Sequence, residues 1–418
     1  MSDISLADPS LPGLLSWSTV AKYNKRRHDA YVPGVQYDNI LLLKLALEGR
    51  GIRLKDVIFT IQSRVLRGSK GREAMAQIKA EVTPMLAKNL IVVRLVAMNI
   101  PGVDVLVYQS FDRNPHAYEF KSVLTDVLYA LAAVDQSFHV EGVNMDGAAT
   151  QRNVYAAAGR SPMRPATGRE VDLLLDMGHA VKKVVRSTTS KKRRVKLQLP
   201  CGRLLAVRLS AAESIWSRLN PVGAMARGRG AFKHTDFTPN SWSQMKVAIN
   251  MKFLTEPMIL LCEDSFLQND QHNDPIFHDA HEKMDGWHLL ATKFSKIIPI
   301  MNTYMAVGIE NTEEIRVLCE FHDWFYDQRC AAIAREKALL NMPALPVGAP
   351  PSTEDKASQK LHVSFFTPQC CDDLLMGIFG IVNMIYRTTE ADKLSPRRSI
   401  IMAKNTQDNV ENMFGDIN

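Results

Sequence analysis

The chain has 418 residues, of which 46% are hydrophobic and 23% charged, and carries a net charge of +7. This is the make-up of a globular protein long enough for two or three domains, or for one domain with a large insertion. No apolar run approaches the roughly 20 residues of a membrane span, and Met1-Ser2-Asp3-Ile4-Ser5 lacks a basic-then-apolar leader, so neither membrane insertion nor secretion is expected. The six cysteines form no CxxC pair, which suits a reducing compartment better than a zinc or disulfide framework.

In chain order, Tyr31 to Leu43 reads as a first strand and Ile52 to Ile61 as a second, followed by a helix over 66–88. Residues 89–97 and 103–109 read as buried strands split by Pro101-Gly102. Residues 116–137 carry helical spacing through Phe120, Val123, Leu124, Val127, Leu128 and Leu131. Val140 to Met145 is a strand ending in Asp146-Gly147, 151–158 a helix, and Val171 to Leu175 a strand ending in Asp176. The order is that of an α/β layer, and two of its strands end in Asp at carboxyl edges, where such folds place their sites. From about 210 to 340 helical spacing dominates, over Trp242 to Leu254, Met284 to Phe294 and Thr312 to Leu340. A Pro-rich connector begins at Met342, and helices are expected at 368–387 and 404–416.

Between 182 and 196 lie eight cations: Lys182, Lys183, Arg186, Lys191, Lys192, Arg193, Arg194 and Lys196. The run fits a phosphate-binding or nuclear-import segment, and equally a solvated loop between strands. His272, His278, His281 and His288 lie near Asp279 and Glu282, but the spacing is not HExxH and no third ligand stands out. A polar helix surface is the better reading of them than zinc.

Four blocks carry a more specific pattern. Val143 to Asn153 is a strand, Asp146, a Gly-led turn and a helix start; from spacing alone, Asp146 is equally a turn or cap residue. Asp176-Met177-Gly178-His179-Ala180-Val181-Lys182-Lys183-Val184-Val185-Arg186 puts His179, Lys182 and Arg186 on one helix face, suited to a phosphate. Phe237 to Val247 contains Pro239, Ser241, Gln244, Met245 and Lys246. Gln407-Asp408-Asn409-Val410-Glu411-Asn412-Met413-Phe414-Gly415 sets Glu411 at the edge of a short amphipathic stretch. In this order the blocks resemble the DxGxxxN, DPPHLLKxxRN, HVxPxSFQKMRVxLA and QDxxENxFG segments of P-element-type and THAP-domain transposases. They run from about 140 to 418, whereas the N-terminal third matches by strand order.

The resemblance implies an RNase H-like core, a mixed sheet flanked by helices and interrupted by a mostly α-helical insertion. The implied parts are 1–209 as the first part of the core, 210–345 as the insertion, 346–365 as linker and 366–418 as the helices completing the core. It implies a nuclear DNA transposase, able to form homo-oligomers, that cleaves and transfers phosphodiesters at transposon ends with Mg²⁺ or Mn²⁺. Asp38, Asp146 and Glu411 would hold the metals, on the principle that two ions roughly 3.5–4 Å apart activate the attacking oxygen and stabilise the leaving one. His179, Lys182, Arg186 and Lys191 to Arg194 would face DNA. Asp38 stands in Asp38-Asn39-Ile40 where the family has Asp-Glu-Met at the end of the first strand, with Asp56 as the fallback. The family's insertion binds GTP; its guanine-reading FDILN is matched by Ile298-Pro299-Ile300-Met301-Asn302, which keeps the Asn but sets Pro299 in place of the base-binding Asp. GTP is therefore doubtful, and a non-catalytic DNA- or partner-binding derivative is the alternative to an enzyme.

Overall fold

A computed structural model describes residues 37–67, 89–100, 104–111, 116–138, 140–145, 171–189, 194–219, 227–238, 247–270, 275–303, 306–340, 365–390 and 400–402. The chain divides into two compact units, one of 1–143 with 149–171 and one of 144–148 with 172–418. The fold is mixed α/β, mostly helical with small sheets, and no described helix is long and apolar enough to cross a membrane.

The first unit opens with α1 (Tyr37–Gly49) and a 3-10 turn at Leu54–Asp56. Strands β1 (Phe59–Arg67), β2 (Asn89–Ala97) and β3 (Asp104–Phe111) follow, then α2 (Ala117–Val134) and β4 (Val140–Met145). The strand order is β3-β2-β1-β4. β1 and β2 are antiparallel from Phe59 opposite Ala97 to Arg67 opposite Asn89, and β2 and β3 from Asn89 opposite Phe111 to Val96 opposite Asp104. Phe59, Ile61, Val93 and Leu95 are buried along these strands, and Phe120, Leu124, Val127 and Leu131 along α2 at the spacing of one helical face. Asn99 joins the way into β1 to the way out of β2. Its amide donates to the Asp56 carbonyl at 2.8 Å, and its side-chain oxygen accepts from Ile58 N–H at 3.0 Å.

The strand expected over Tyr31 to Leu43 is instead, where described, the start of α1. Ile40, Leu43 and Leu47 are buried and Leu41, Leu42 and Leu45 exposed, a helical rather than an alternating pattern. Leu, Lys, Ala and Glu fill 41–48, all good helix formers without a β-branch. The strand expected over 52–61 begins later, at Phe59, after the 3-10 turn. The expected strands at 89–97, 103–109 and 140–146 and the helix at 116–137 stand within two or three residues of β2, β3, β4 and α2. The helices expected at 151–158 and 404–416, and 68–88 of the one expected over 66–88, lie outside the described residues.

In the second unit, β5 (Asp172–Leu175) lies beside the end of β4, with Asp176 N–H donating to the Met145 carbonyl at 3.3 Å. Next come α3 (Met177–Thr189) and a hairpin of β6 (Val195–Gln198) and β7 (Leu204–Val207). Gly202 at φ +87° makes that turn possible, because a Cβ there would be strained. Helices α4 (Leu209–Arg218), α5 (Arg227–Ala231), α6 (His234–Phe237), α7 (Val247–Lys252) and α8 (Glu256–Asp270) follow. Then come α9 (Ala280–Met301), the two-residue β8 (Ala306–Val307), α10 (Thr312–Leu340), α11 (Pro368–Glu390) and β9 (Ile400–Ile401), which pairs antiparallel with β8. Between 209 and 340 the described elements are helical apart from β8. The hairpin is not among the expected strands.

Two polar clamps hold α11 against β5 and α3. Asp172 accepts from Asn383 at 2.6 Å and Arg387 at 2.9 Å, and Lys183 of α3 pairs with Asp373. The hairpin is held to α10 by Gln328, whose side-chain amide imitates a neighbouring strand. Its oxygen accepts from Gln198 N–H at 2.7 Å and its nitrogen donates to the Gln198 carbonyl at 2.8 Å. α9 lies on β7 with Gly286 against the Ala206 carbonyl, where a Cβ has no room.

Candidate functional site

The most strongly organised charged group on the sequence-predicted blocks begins at the end of β5. Asp176 follows the last strand residue, and its carboxylate turns back onto the first turn of α3. Oδ1 accepts from Gly178 N–H at 2.8 Å and Oδ2 contacts His179 Nδ1 at 2.7 Å. The side chain is fully buried. Burial works to raise its pKa, but the hydrogen bond from His179, the charge of Lys182 and the Gly178 N–H outweigh it and hold the carboxyl below its ordinary value. Gly178 allows this geometry: a Cβ there would press on Asp176 Oδ1 and on Val247 of α7.

Lys182 Nζ approaches His179 Nε2 at 3.4 Å. An ammonium can only donate, so Nε2 must accept, and the proton of a neutral ring then sits on Nδ1, facing Asp176. The result is a polarised chain from carboxylate to imidazole to ammonium, each group oriented by the one before it. His179 Nε2 is already occupied, so the chain orients and stores charge. Lys182 is 5% exposed, while Arg186, one turn further on the same face, is exposed. Charge thus runs along α3 from a buried acid to a solvent-facing guanidinium.

The other predicted residues are distributed as follows. Asp38 lies in the first turn of α1, on a helix ahead of β1 and not at a strand end. Asp56 ends the 3-10 turn and is paired with Arg53 at 2.8 Å. β1 carries no Asp or Glu from Phe59 to Arg67, and its second residue, Thr60, is completely buried. Asp146, Glu411, Lys191, Lys192 and Arg193 lie outside the described residues; Arg194 is partly exposed ahead of β6. Among the described residues no group of three His, Cys, Asp or Glu is placed to hold a metal ion.

Asn302 closes α9, its N–H donating to Ile298 at 3.0 Å and its amide nitrogen meeting the Met251 sulfur at 3.7 Å. Pro299 stands inside the last turn of that helix. Of the histidine group, His281 is held between Asp270 at 3.0 Å and Asp285 at 3.1 Å and stacks on Phe266 at 4.3 Å. Its two nitrogens face different carboxylates, an arrangement for ion pairing rather than for gathering ligands round one ion.

Asp176, which the sequence marks only as an Asp at a strand end, organises its block. The clue was available: an Asp at a strand end, a small residue two later and His three later allow one carboxylate to bond both.

No family model matches the chain, and no curated protein matches it. In fold it is similar to a solved structure, "Drosophila P element transposase strand transfer complex", with a TM-score of 0.62, 9% identity, and 94% of this chain and 78% of that chain covered.

Proposed function

We propose that this chain is a transposase-related protein that binds DNA and acts on its phosphodiester backbone. The observation that carries the reading is the fold likeness to a P element transposase over 94% of the chain, joined to four sequence blocks in that family's order. The core would be RNase H-like, with β1–β3 as its antiparallel trio, and the helical stretch after residue 209 would be the insertion. Asp38, Asp146 and Glu411 are the proposed carboxylates for Mg²⁺ or Mn²⁺, which would supply an activated water and a stabilised leaving oxygen. The chain's own contribution lies in α3: the Asp176–His179–Lys182 chain fixes the first turns, and Arg186 continues the positive face toward solvent. Guanine nucleotides would bind weakly, because Pro299 offers no carboxylate to the base. The proposed compartment is the nucleus and the proposed assembly a homo-oligomer.

The test is relaxation of a supercoiled plasmid in Mg²⁺ or Mn²⁺. Nicking by the wild-type protein that disappears in Asp146→Ala supports the reading. A second reading, a non-catalytic DNA-binding derivative, is favoured by one observation: β1 is free of acids, while Asp38 stands on a helix. Wild-type protein that binds duplex DNA but never nicks it, with either metal, selects that reading.

A further inference from the structure

The segment Arg227-Gly228-Arg229-Gly230-Ala231-Phe232-Lys233-His234 carries four basic side chains, and the next acid after it is Asp236. The fold sorts these residues. Gly228 and Phe232 are buried, whereas Arg227, Lys233 and His234 are exposed. The support beneath is stiff. Phe232 meets Phe237 at 5.3 Å and Phe253 at 5.0 Å, and Phe237 also meets Trp216 at 5.3 Å. Arg229 lies over the Trp216 ring at 4.7 Å and donates to the Leu219 carbonyl at 2.7 Å, while Trp216 Nε1 donates back to the Arg229 carbonyl at 3.0 Å. Gly228 is pressed against the backbone of Leu261 on α8, where a Cβ has no room.

The acids nearby are committed elsewhere. Asp236 is buried and accepts from Lys233 N–H at 3.0 Å and Lys252 at 2.9 Å. Asp264 is buried and accepts from Gly228 N–H at 2.8 Å; it lies near enough to feel the charge of Arg227 without forming an ion pair. Glu213 faces His234 at 3.7 Å. Among the described residues the Arg227 and Lys233 side chains have no carboxylate partner. Two unneutralised cations and an imidazole therefore project from an aromatic-backed segment whose backbone is already ordered, so that only side-chain freedom remains to be lost on a polyanion.

We infer that Arg227 and Lys233, with His234 beside them, form a docking surface for the phosphate backbone of duplex DNA, built from a different stretch of sequence than α3 and the 191–194 run. The choice of DNA rests on the proposed function; the surface itself rests on charge and burial. Backbone contacts are read through salt dependence, since each phosphate neutralised changes the slope of log K against log salt by about 0.9. The test is fluorescence anisotropy of a labelled 20-base-pair duplex of arbitrary sequence with full-length protein, titrated with NaCl. Arg227→Gln with Lys233→Gln should lower the slope by about 2 and weaken binding roughly 60-fold at 0.1 M salt. Arg316→Gln serves as the control, because that exposed guanidinium is already neutralised by Glu313 and Glu320, and its slope should stay at the wild-type value. Wild-type binding left unchanged by the double substitution would overturn this surface and leave the proposed function standing. A wild-type protein with no salt-sensitive affinity for the duplex would overturn both. The substituted side chains are exposed, and an unchanged circular dichroism spectrum confirms that a loss of binding is not a loss of fold.

Discussion

An ionised carboxylate taken wholly out of water costs several kcal/mol unless donors and positive charge surround it. Asp176 is surrounded by His179, Lys182 and the Gly178 N–H, and its folded pKa is depressed accordingly. A depressed carboxylate contributes stability above its unfolded value near 3.8, and that contribution is lost as pH falls through the folded value. Asp176→Asn should destabilise the protein by about 3 kcal/mol at pH 7 in urea unfolding. An amide nitrogen facing His179 would drive the ring to its other tautomer and turn an N–H toward the Lys182 ammonium. An unfolding midpoint unmoved by this substitution would show that the buried chain is not the organising feature inferred for it.

His281 has the opposite sign. Burial works to lower its pKa, but the carboxylates of Asp270 and Asp285 outweigh it and raise the value above 6.5. Its contribution is thus complete below pH 6.5 and disappears as pH rises through the folded pKa. The melting-temperature difference between wild type and His281→Gln should be widest at about pH 6 and narrow by about pH 9. A difference that grows with pH would contradict the assignment.

At the scale of elements, two glycines in α5 separate packing from propensity. A Cβ on Gly228 would enter the backbone of Leu261, whereas one on Gly230 would meet nothing within 4 Å. Gly228→Ala should therefore cost about 3 kcal/mol as α5 is pushed off α8. Gly230→Ala should be neutral or stabilising by up to about 1 kcal/mol, since alanine is the better helix former. Thermal unfolding of the two variants decides this, and equal effects would mean that the close approach of α5 to α8 is not maintained. The same contrast between local pattern and packing explains which elements the sequence disclosed. β2 and α2 were legible because their apolar residues run nearly continuously or at helical spacing between clear breakers. α1 was not, because Ile40-Leu41-Leu42-Leu43 reads as a buried strand until Ile40, Leu43 and Leu47 are seen to be the buried positions, at helical spacing. The hairpin was obscured by its charge. Lys196 and Gln198 alternate with a buried Val195 and Leu197, but so short an alternation is outweighed in the sequence by the cations that precede and enter it.

Across the whole molecule, what was legible is the broad change from a strand-bearing first part to a mostly helical second part. A similar fold at 9% identity is physically reasonable, because layer packing tolerates any set of side chains that keeps the apolar pattern. The site was less legible, since its proposed carboxylates are spread from Asp38 to Glu411 and spacing along a chain says nothing about convergence in space. Binding and chemistry can nevertheless be separated by experiment. Asp146→Ala and Glu411→Ala should each abolish metal-dependent plasmid nicking while leaving duplex affinity within about twofold, because affinity comes mainly from cations on phosphates. Lys191→Ala with Arg193→Ala should weaken binding to every duplex sequence alike and flatten its salt dependence. Asp38→Ala is the sharper experiment. Asp38 stands on α1, and β1 carries no acid, so the substitution decides whether the helix takes part in the proposed site. Loss of nicking with normal binding would show that the helix delivers a carboxylate to the metals. Nicking that survives the substitution would remove Asp38 from the site and move the first ligand to Asp56 or beyond.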